Sequence, residues 1–295
     1  LAKVHMAHTK YPLQMLHQYE IASDEMMRFS EKISTMKNGQ ALKLEASSSN
    51  RRAGLPIAAL LLKHLMARIQ PNNVVVSANA VREGILYSIL KPKYRAIDPL
   101  LLACEEMAER LCKSADYGHE LALWSSKIFK NPNWTLGNNK AFSRLREAGC
   151  LISDVAWASH PSWRAETVRR VVLTAPFSGI RHEERVFLTH ALAYRHEVDG
   201  SEENYGPLDL CESDRRLARA MGLSFRLAHS LSASLPGALP MTRLRAGRNY
   251  LTLKIDPSRA ELMGPIISKR LAAVAIELDL EPRVEIKPIK DLLVA

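Results

Sequence analysis

The strongest constraint on the fold is a change of sequence pattern near residue 96. Before it, predicted helices alternate with short aliphatic stretches, which is typical of an α/β domain over 1–95. After it, segments with helical periodicity follow one another without a strand-like segment, over 99–115, 119–130, 139–157, 162–175 and 183–196. Asp98 and Pro99 suit the N-cap and the first position of the first of these helices. The sequence therefore predicts an all-α domain over 96–205.

A third segment follows the acidic, glycine-containing stretch 197–207, which we interpret as a linker. We expect residues 206–295 to form a small α+β domain. Its predicted elements are a helix over 209–234, strands near 241–244 and 249–255, a helix with a capping box of Ser258 and Glu261, and a strand over 283–289.

In the first segment, a helix is predicted over 1–18 and a second one is predicted to begin with Ser23 as its N-cap. Pro56 is expected to begin an apolar helix that ends near Ile69. Because the chain starts with Leu1 inside the first predicted helix, we expect that a preceding part of the protein is missing.

The net charge of +10 is unevenly distributed along the chain. Lys and Arg outnumber Asp and Glu by 14 to 6 in 1–95 and by 14 to 10 in 206–295, whereas 96–205 has 13 against 15. Basic segments favour nucleic acid, phospholipid head groups or polyphosphate as partners, or they serve solubility alone. No apolar run is long enough for a membrane span, and the four cysteines form no CxxC pair, which is typical of reduced thiols in a cytosolic protein.

The stretch VVVSANAVREGILY, residues 74–87, predicts a buried strand that leads directly into a helix. In α/β proteins, ligands bind where strands end, and the first N–H groups of a helix favour anions. Arg82 and Glu83 are either a ligand clamp or a surface ion pair. Gly84 either lets a ligand approach the backbone or allows close helix packing.

Together with the preceding helix, this stretch resembles a signature of the exopolyphosphatase / guanosine pentaphosphate phosphohydrolase (Ppx/GppA) family. Further segments that resemble the family are 1–19, 151–168, 188–197 and 216–232, so that the resemblance extends over nearly the whole chain. It implies that 1–95 is the C-terminal part of the second domain of an actin/hexokinase-like (ASKHA) ATPase fold. An HD-like helical domain and the α+β domain would follow.

The resemblance also implies an activity. Members of the family use Mg²⁺ to hydrolyse the terminal phosphoanhydride of inorganic polyphosphate or the 5′-phosphate of guanosine pentaphosphate. Their catalytic residues lie N-terminal to the region matched here, so we expect this chain alone to be inactive and to contribute substrate binding. Arg82, Glu83 and Gly84 would face the cleft between domains. A cytoplasmic homodimer is expected, with neither a membrane nor nucleic acid as partner.

The HD-like segment lacks the residues of an active HD metal site, which needs an adjacent His-Asp pair. The corresponding residues here are Ser153 and Asp154, and serine is a poor ligand for a divalent transition metal. We therefore predict no metal site but a degenerate HD fold, in which Asp154 caps a helix or pairs with an arginine.

Arginines on two predicted helices are further candidates for substrate binding. On the helix 209–234, Arg215, Arg219 and Arg226 lie opposite the apolar stripe, and Arg164 is a similar candidate in the preceding domain. They are either solvated or in contact with successive phosphates of a linear polyanion.

Three functions fit these observations to different degrees. The first is the C-terminal part of an exopolyphosphatase, and the second is a non-catalytic regulatory module that binds polyanions or the guanosine alarmone. The third, a free-standing HD metallohydrolase, is disfavoured by Ser153.

Overall fold

A computed structural model describes residues 1–36, 49–129, 134–196 and 204–289 of the chain. Two compact units are formed. The first comprises Leu1–Ala96 with Tyr205–Pro207, and the second comprises Ile97–Asn204 with Leu208–Ala295. The second unit includes both segments for which the sequence suggests separate domains, and that finer division stays a prediction. Most of the expected linker, 197–203, lies outside the described residues.

The first unit combines helices with a two-stranded antiparallel ribbon. In chain order its elements are α1 (Ala2–His8), β1 (Tyr19–Ala22), α2 (Ser23–Ser34), α3 (Leu55–Ile69), β2 (Asn73–Val76) and α4 (Val81–Ile89), with short helical turns at Ser49–Arg52 and Pro92–Arg95. In the ribbon, Tyr19 pairs with Val76 and Ile21 pairs with Val74.

The predicted helix over 1–18 is wrong beyond His8. Lys10 has a φ of 51°, a left-handed conformation that ends a helix, and Pro12 has no amide hydrogen with which to continue one. The N-cap assignment is also wrong by one residue, because α2 begins at Ser23 and Ala22 occupies its N-cap.

The core of the first unit lies between α2, α3 and the ribbon. Its members are apolar side chains with almost no exposed surface, among them Tyr19, Ile21, Met26, Ile33 and Ala59. The buried ring of His5 is also there. Its Nδ1 lies 2.7 Å from the Tyr19 hydroxyl and its Nε2 lies 3.2 Å from Glu25. Burial lowers the pKa of His5, partly opposed by Glu25.

The expectation that the aliphatic strand is buried is wrong for β2. Val75 is 51% exposed, and Val74 and Val76 are half-buried. The following helix, α4, contains no buried residue. The sequence pattern identifies an apolar strand correctly, but the first unit does not cover both of its faces.

The second unit begins with a series of helices. They are α5 (Pro99–Leu111), α6 (Ala115–Ser125), α7 (Asn139–Leu151), α8 (Arg164–Thr174), α9 (His182–Tyr194) and α10 (Glu212–Ser232). The predicted cap of α5 is confirmed, because the Asp98 carboxylate accepts from the N–H groups of Leu100 and Leu101 at 2.9 and 3.2 Å. Asp98 also forms an ion pair with Arg144 of α7 and thereby connects the two helices.

Helices α9 and α10 approach each other closely at a glycine. A Cβ placed on Gly222 would lie 2.1 Å from the carbonyl oxygen of Ala191 and 2.7 Å from Tyr194 Cβ. Only a residue without a side chain permits this approach. The crossing brings the C-terminal end of α9 next to the middle of α10.

The second unit ends in a three-stranded sheet with one helix. The strands β3 (Thr242–Ala246), β4 (Tyr250–Ile255) and β5 (Glu281–Ile286) lie in the order β3-β4-β5, and α11 (Pro265–Glu277) precedes β5. The β3–β4 pair is antiparallel and the β4–β5 pair is parallel. The predicted capping box is wrong: Asp256, not Ser258, caps a short 3₁₀ helix, and α11 begins only at Pro265.

The described elements are mostly helical with two small sheets, which is compatible with the predicted α/β plus α class. No helix within the described ranges has the length and apolar character that crossing a membrane requires.

Candidate functional site

The turn between β2 and α4 is fixed by side-chain hydrogen bonds. The Ser77 hydroxyl donates to the Asn79 carbonyl at 2.9 Å and accepts from the Asn79 N–H at 3.0 Å. The Ala78 N–H donates to His17 Nδ1 at 3.2 Å. The chain is therefore held in place just before the residues that the sequence identifies as candidates.

Those candidates, Arg82, Glu83 and Gly84, have different surroundings. Glu83 accepts the N–H of Ala80 at 2.7 Å and so caps α4, whereas the Arg82 side chain is 87% exposed and lies 3.4 Å from Glu83. No atom lies within 4 Å of a Cβ placed on Gly84, so helix packing does not require a glycine here. Glu83 and Gly84 line a cavity of about 540 Å³ beside α4, and Arg82 does not. Their role in substrate binding stays a prediction.

Ser153 and Asp154 lie in the buried turn that follows α7. Asp154 Oδ1 accepts from Arg195 Nη2 at 2.5 Å, and both side chains are nearly inaccessible to solvent, at 5% and 3% exposed. This is an arginine pair of the kind predicted for Asp154. Arg195 directly follows α9. Its Nη2 also lies 3.3 Å from His229 Nδ1 and 3.3 Å from the Ser234 hydroxyl.

Two histidines close to this pair have strongly lowered pKa values. Burial, Arg195 and Arg164 lower the pKa of His196 to about 3. Burial and Arg195 lower the pKa of His229 to about 4, against the opposing effect of Asp154. Both rings are therefore neutral at physiological pH. Among the described residues there is no group of three or more His, Cys, Asp or Glu that could hold a metal ion.

Three of the remaining arginine candidates, Arg164, Arg215 and Arg219, each bind a protein group. Arg164 donates to the carbonyls of Ser159 and Trp157 at 3.1 and 2.9 Å. Arg215 donates to the Leu210 carbonyl at 3.1 Å. Arg219 lies 3.4 Å from Glu277 of α11 and over the ring of Tyr194. The face of α10 that carries Arg219 therefore lies against α11. Substrate binding by these arginines stays a prediction.

Sequence reasoning did not identify the outer face of the C-terminal sheet as a site. In β3, Leu244 is buried and Arg245 is exposed, and Lys254 is exposed on the neighbouring β4. Together with Lys127 and Arg243, these cations line a groove of about 850 Å³ that contains Glu285 as its one acidic lining residue within the described ranges. We call this feature the sheet groove. The alternation in TRLRA, with an arginine at every second position of a strand, was the available signal.

The sheet groove is held in place by contacts between α6 and β3. Trp124 Nε1 donates to the Thr242 hydroxyl at 2.9 Å inside the core. At the other end of the strand, the Ala246 N–H donates at 3.3 Å to the carbonyl of Lys127, which follows α6. Hydrogen bonds therefore fix both ends of β3, the strand that supplies Arg243 and Arg245 to the groove.

Comparison with known families covers both units. The family model of the exopolyphosphatase C-terminal domain matches residues 100–278, and the model of the Ppx/GppA phosphatase family matches residues 1–93. The chain belongs to the Ppx/GppA family. No curated protein matches this chain. Membership in the Ppx/GppA family confirms the resemblance and makes the parent protein a phosphatase-type hydrolase. The cations of the sheet groove and the Asp154–Arg195 pair lie inside the matched C-terminal region.

Proposed function

We propose that this chain is the C-terminal part of an exopolyphosphatase and that it binds condensed phosphate for a catalytic centre elsewhere in the parent protein. Family membership supports the reaction class. The observation that supports the binding role is the sheet groove, where exposed Arg245, Lys127 and Lys254 face a cavity about 850 Å³ in volume. A chain of phosphates carries one negative charge per unit along its length, so a groove lined by several cations binds it and releases counterions.

The described residues do not fit a magnesium site. No group of three or more potential ligands occurs among them, whereas Mg²⁺ prefers carboxylate and water oxygens in octahedral geometry. We therefore derive no catalytic step through the metal. The residues that break the phosphoanhydride bond are proposed to lie outside this chain, because the family resemblance implies that 1–95 is the end of an ASKHA domain and that a degenerate HD-like domain follows it.

Binding of long-chain polyphosphate to the purified chain, measured by calorimetric titration over a series of salt concentrations, tests the proposal. The variant Arg245→Gln with Lys254→Gln removes two cations of the sheet groove. By analogy with nucleic acid, losing two phosphate contacts should lower the slope of log affinity against log salt by about 1 to 2. The matched control is Arg110→Gln with Lys140→Gln, which removes the same charges from exposed helix positions.

The same titration with Arg215→Gln and Arg219→Gln decides between two surfaces. If only this variant weakens binding, polyphosphate binds along α10 and the sheet groove is not its site. If both double variants bind polyphosphate as tightly as the control variant does, the chain has no defined polyanion site at either surface.

A phosphate-release assay with Mg²⁺ tests the catalytic part of the proposal. We expect no release from polyphosphate by this chain alone and release by the parent protein. Robust turnover by the chain would contradict the placement of the catalytic residues. A parent protein that binds polyphosphate without hydrolysing it would instead support the alternative, a non-catalytic polyanion- or alarmone-binding module. Guanosine pentaphosphate as a substrate, the homodimer and the cytoplasmic location remain predictions from the resemblance.

A further inference from the structure

The outer face of the C-terminal sheet carries polar side chains in rows that cross its three strands. Strand pairing places Arg245 opposite Thr252 and Thr252 opposite Arg283, so these residues form one row. The second row consists of Arg243, Lys254 and Glu285. Neighbouring strands lie about 5 Å apart, and their paired residues lie on the same face. The cationic surface of the sheet groove therefore extends across β4 onto β5, where Arg283 adds a further exposed cation.

An arginine is stacked on a tyrosine beside the first row. The guanidinium carbon of Arg283 lies over the ring of Tyr250, 4.1 Å from the ring centre. Tyr250 comes two residues before Thr252 on β4 and so lies on the same face of the sheet. Because Arg283 is exposed, a planar ring can stack on the side of the guanidinium that is turned away from Tyr250. We call this pair the Tyr250–Arg283 stack.

Two features of this face are of no use to a chain of phosphates. Such a chain has no planar group for the Tyr250–Arg283 stack, and the carboxylate of Glu285 repels it. This carboxylate lies 3.7 Å from Lys254 Nζ and 3.4 Å from Lys287 Nζ, both longer than the about 2.7–2.9 Å of a strong charge-assisted hydrogen bond. Glu285 can therefore still accept N–H groups of a ligand. A ligand with planar rings, N–H donors and phosphates would use all of these groups together.

We propose that this face of the sheet also binds single-stranded nucleic acid. A base would stack on Arg283, the amino group of a base would donate to Glu285, and the cations of the sheet groove would contact phosphates. A duplex hides the faces of its bases in its own stack, so single strands are preferred. The inference adds a second class of ligand at the sheet groove and does not rest on the hydrolysis of polyphosphate. It differs from the sequence-based expectation that nucleic acid is not a partner.

Fluorescence anisotropy of a labelled single-stranded RNA, titrated with the whole chain, tests the proposal. The probe is an unstructured RNA of adenine and cytosine with about 12 nucleotides, within the roughly 4–16 nucleotides that single-strand sites cover. The reference ligands are the duplex of the same RNA and a polyphosphate of similar total charge. We expect the single strand to bind at least about fivefold more tightly than the duplex, because only its bases are free to stack on the protein.

Two variants and two controls test the Tyr250–Arg283 stack. Tyr250→Ala removes the ring but no charge, so it should weaken RNA binding by roughly tenfold and leave polyphosphate binding unchanged, whereas Tyr250→Phe keeps the ring and should bind RNA normally. Arg283→Lys keeps the charge but not the planar group, and it should weaken RNA binding alone, by about two- to fivefold. Tyr94→Ala is the matched control in the first unit, because it removes an exposed tyrosine whose ring also carries a cation, Lys93 Nζ at 4.8 Å. It should change neither affinity.

Equal affinities for the single strand and the duplex would overturn the proposal, because the surface would then recognise phosphates alone. It would also be overturned if Tyr250→Ala changed neither affinity, or weakened RNA and polyphosphate binding equally. If Tyr250→Ala does not fold, the exposed Arg283→Lys decides the question by the same comparison. Loss of polyphosphate binding with RNA binding intact would refute the proposed function alone, and the reverse result would refute this inference alone.

Discussion

The close approach of α9 and α10 at Gly222 gives a prediction whose magnitude follows from the coordinates. In Gly222→Ala, the new methyl group would lie 2.1 Å from the Ala191 carbonyl oxygen and 3.1 Å from the Arg195 nitrogen. These atoms belong to the backbone and cannot turn away as a flexible side chain can. The two helices must therefore separate by about 1 Å to restore ordinary contact distances.

The energetic consequence has two parts of opposite sign. Adding a methylene-sized group to a well-packed interface costs about 1–3 kcal/mol, with the upper end expected for a backbone clash, whereas alanine gains up to about 1 kcal/mol over glycine in a helix. We expect a net loss of about 2 kcal/mol in the free energy of unfolding. For a unit of this size, such a loss lowers the unfolding temperature by about 4–8 °C.

Differential scanning calorimetry of the variant and the natural chain measures this effect. Gly149→Ala is a control within the same unit, because the nearest atom is the flexible end of Met221, at 2.9 Å, and a smaller loss is expected. Gly84→Ala, with no atom within 4 Å, should be neutral or slightly stabilising. An unfolding temperature of Gly222→Ala equal to or above that of the natural chain would refute the close crossing.

The other predictions concern charge and capping. Asp154→Ala should destabilise the second unit by about 3–5 kcal/mol in urea unfolding, because it leaves the charge of Arg195 buried without its partner. The pKa of His196 is lowered to about 3 and that of His229 to about 4, so the unfolded chain takes up protons first as the pH falls below about 6.5. Stability should therefore be complete above that pH and decrease towards pH 4 by at most about 1.4 kcal/mol per pH unit for each histidine, and a slope unaffected by His196→Gln with His229→Gln would contradict this assignment. Glu83→Ala should cost about 1 kcal/mol of helix stability, seen as faster hydrogen exchange in the first turn of α4, with Arg82→Ala as the exposed control.

Local signals explain which features could be predicted from the sequence. The cap at Asp98 depends on an N-cap residue followed by proline, and neighbouring residues alone determine it. The arginine pair of Asp154 could be anticipated as a type of interaction. Its partner could not be named, because Arg195 is 41 residues away and only the packing of α9 after the Asp154 turn brings the two together.

The wrong predictions have equally specific causes. Periodicity over residues 1–18 suggested one helix, but the left-handed Lys10 and the proline at position 12 end it locally. The apolar sequence of β2 predicts a buried strand, and this prediction is wrong. The sequence shows which side chains are apolar, but it does not show whether other elements cover them. The sheet groove was missed because an alternation of two arginines in a five-residue strand is too short to stand out in a chain with 41 basic residues.

Net charge is a poor guide to binding in this protein because so many arginines are engaged by backbone carbonyls. Arg185 is 1% exposed and donates to the carbonyls of Val172 and Ala175 at 2.6 and 2.8 Å, where α8 ends, which satisfies acceptors that the helix leaves open. Arg216 likewise donates to carbonyls at the end of α11 and forms an ion pair with Asp279. Such residues add to the charge of +10 but have few donors left for a ligand. Cations with exposed ends in a groove are the ones that a polyanion can bind, which is why the sheet groove, and not the overall charge, carries the functional argument.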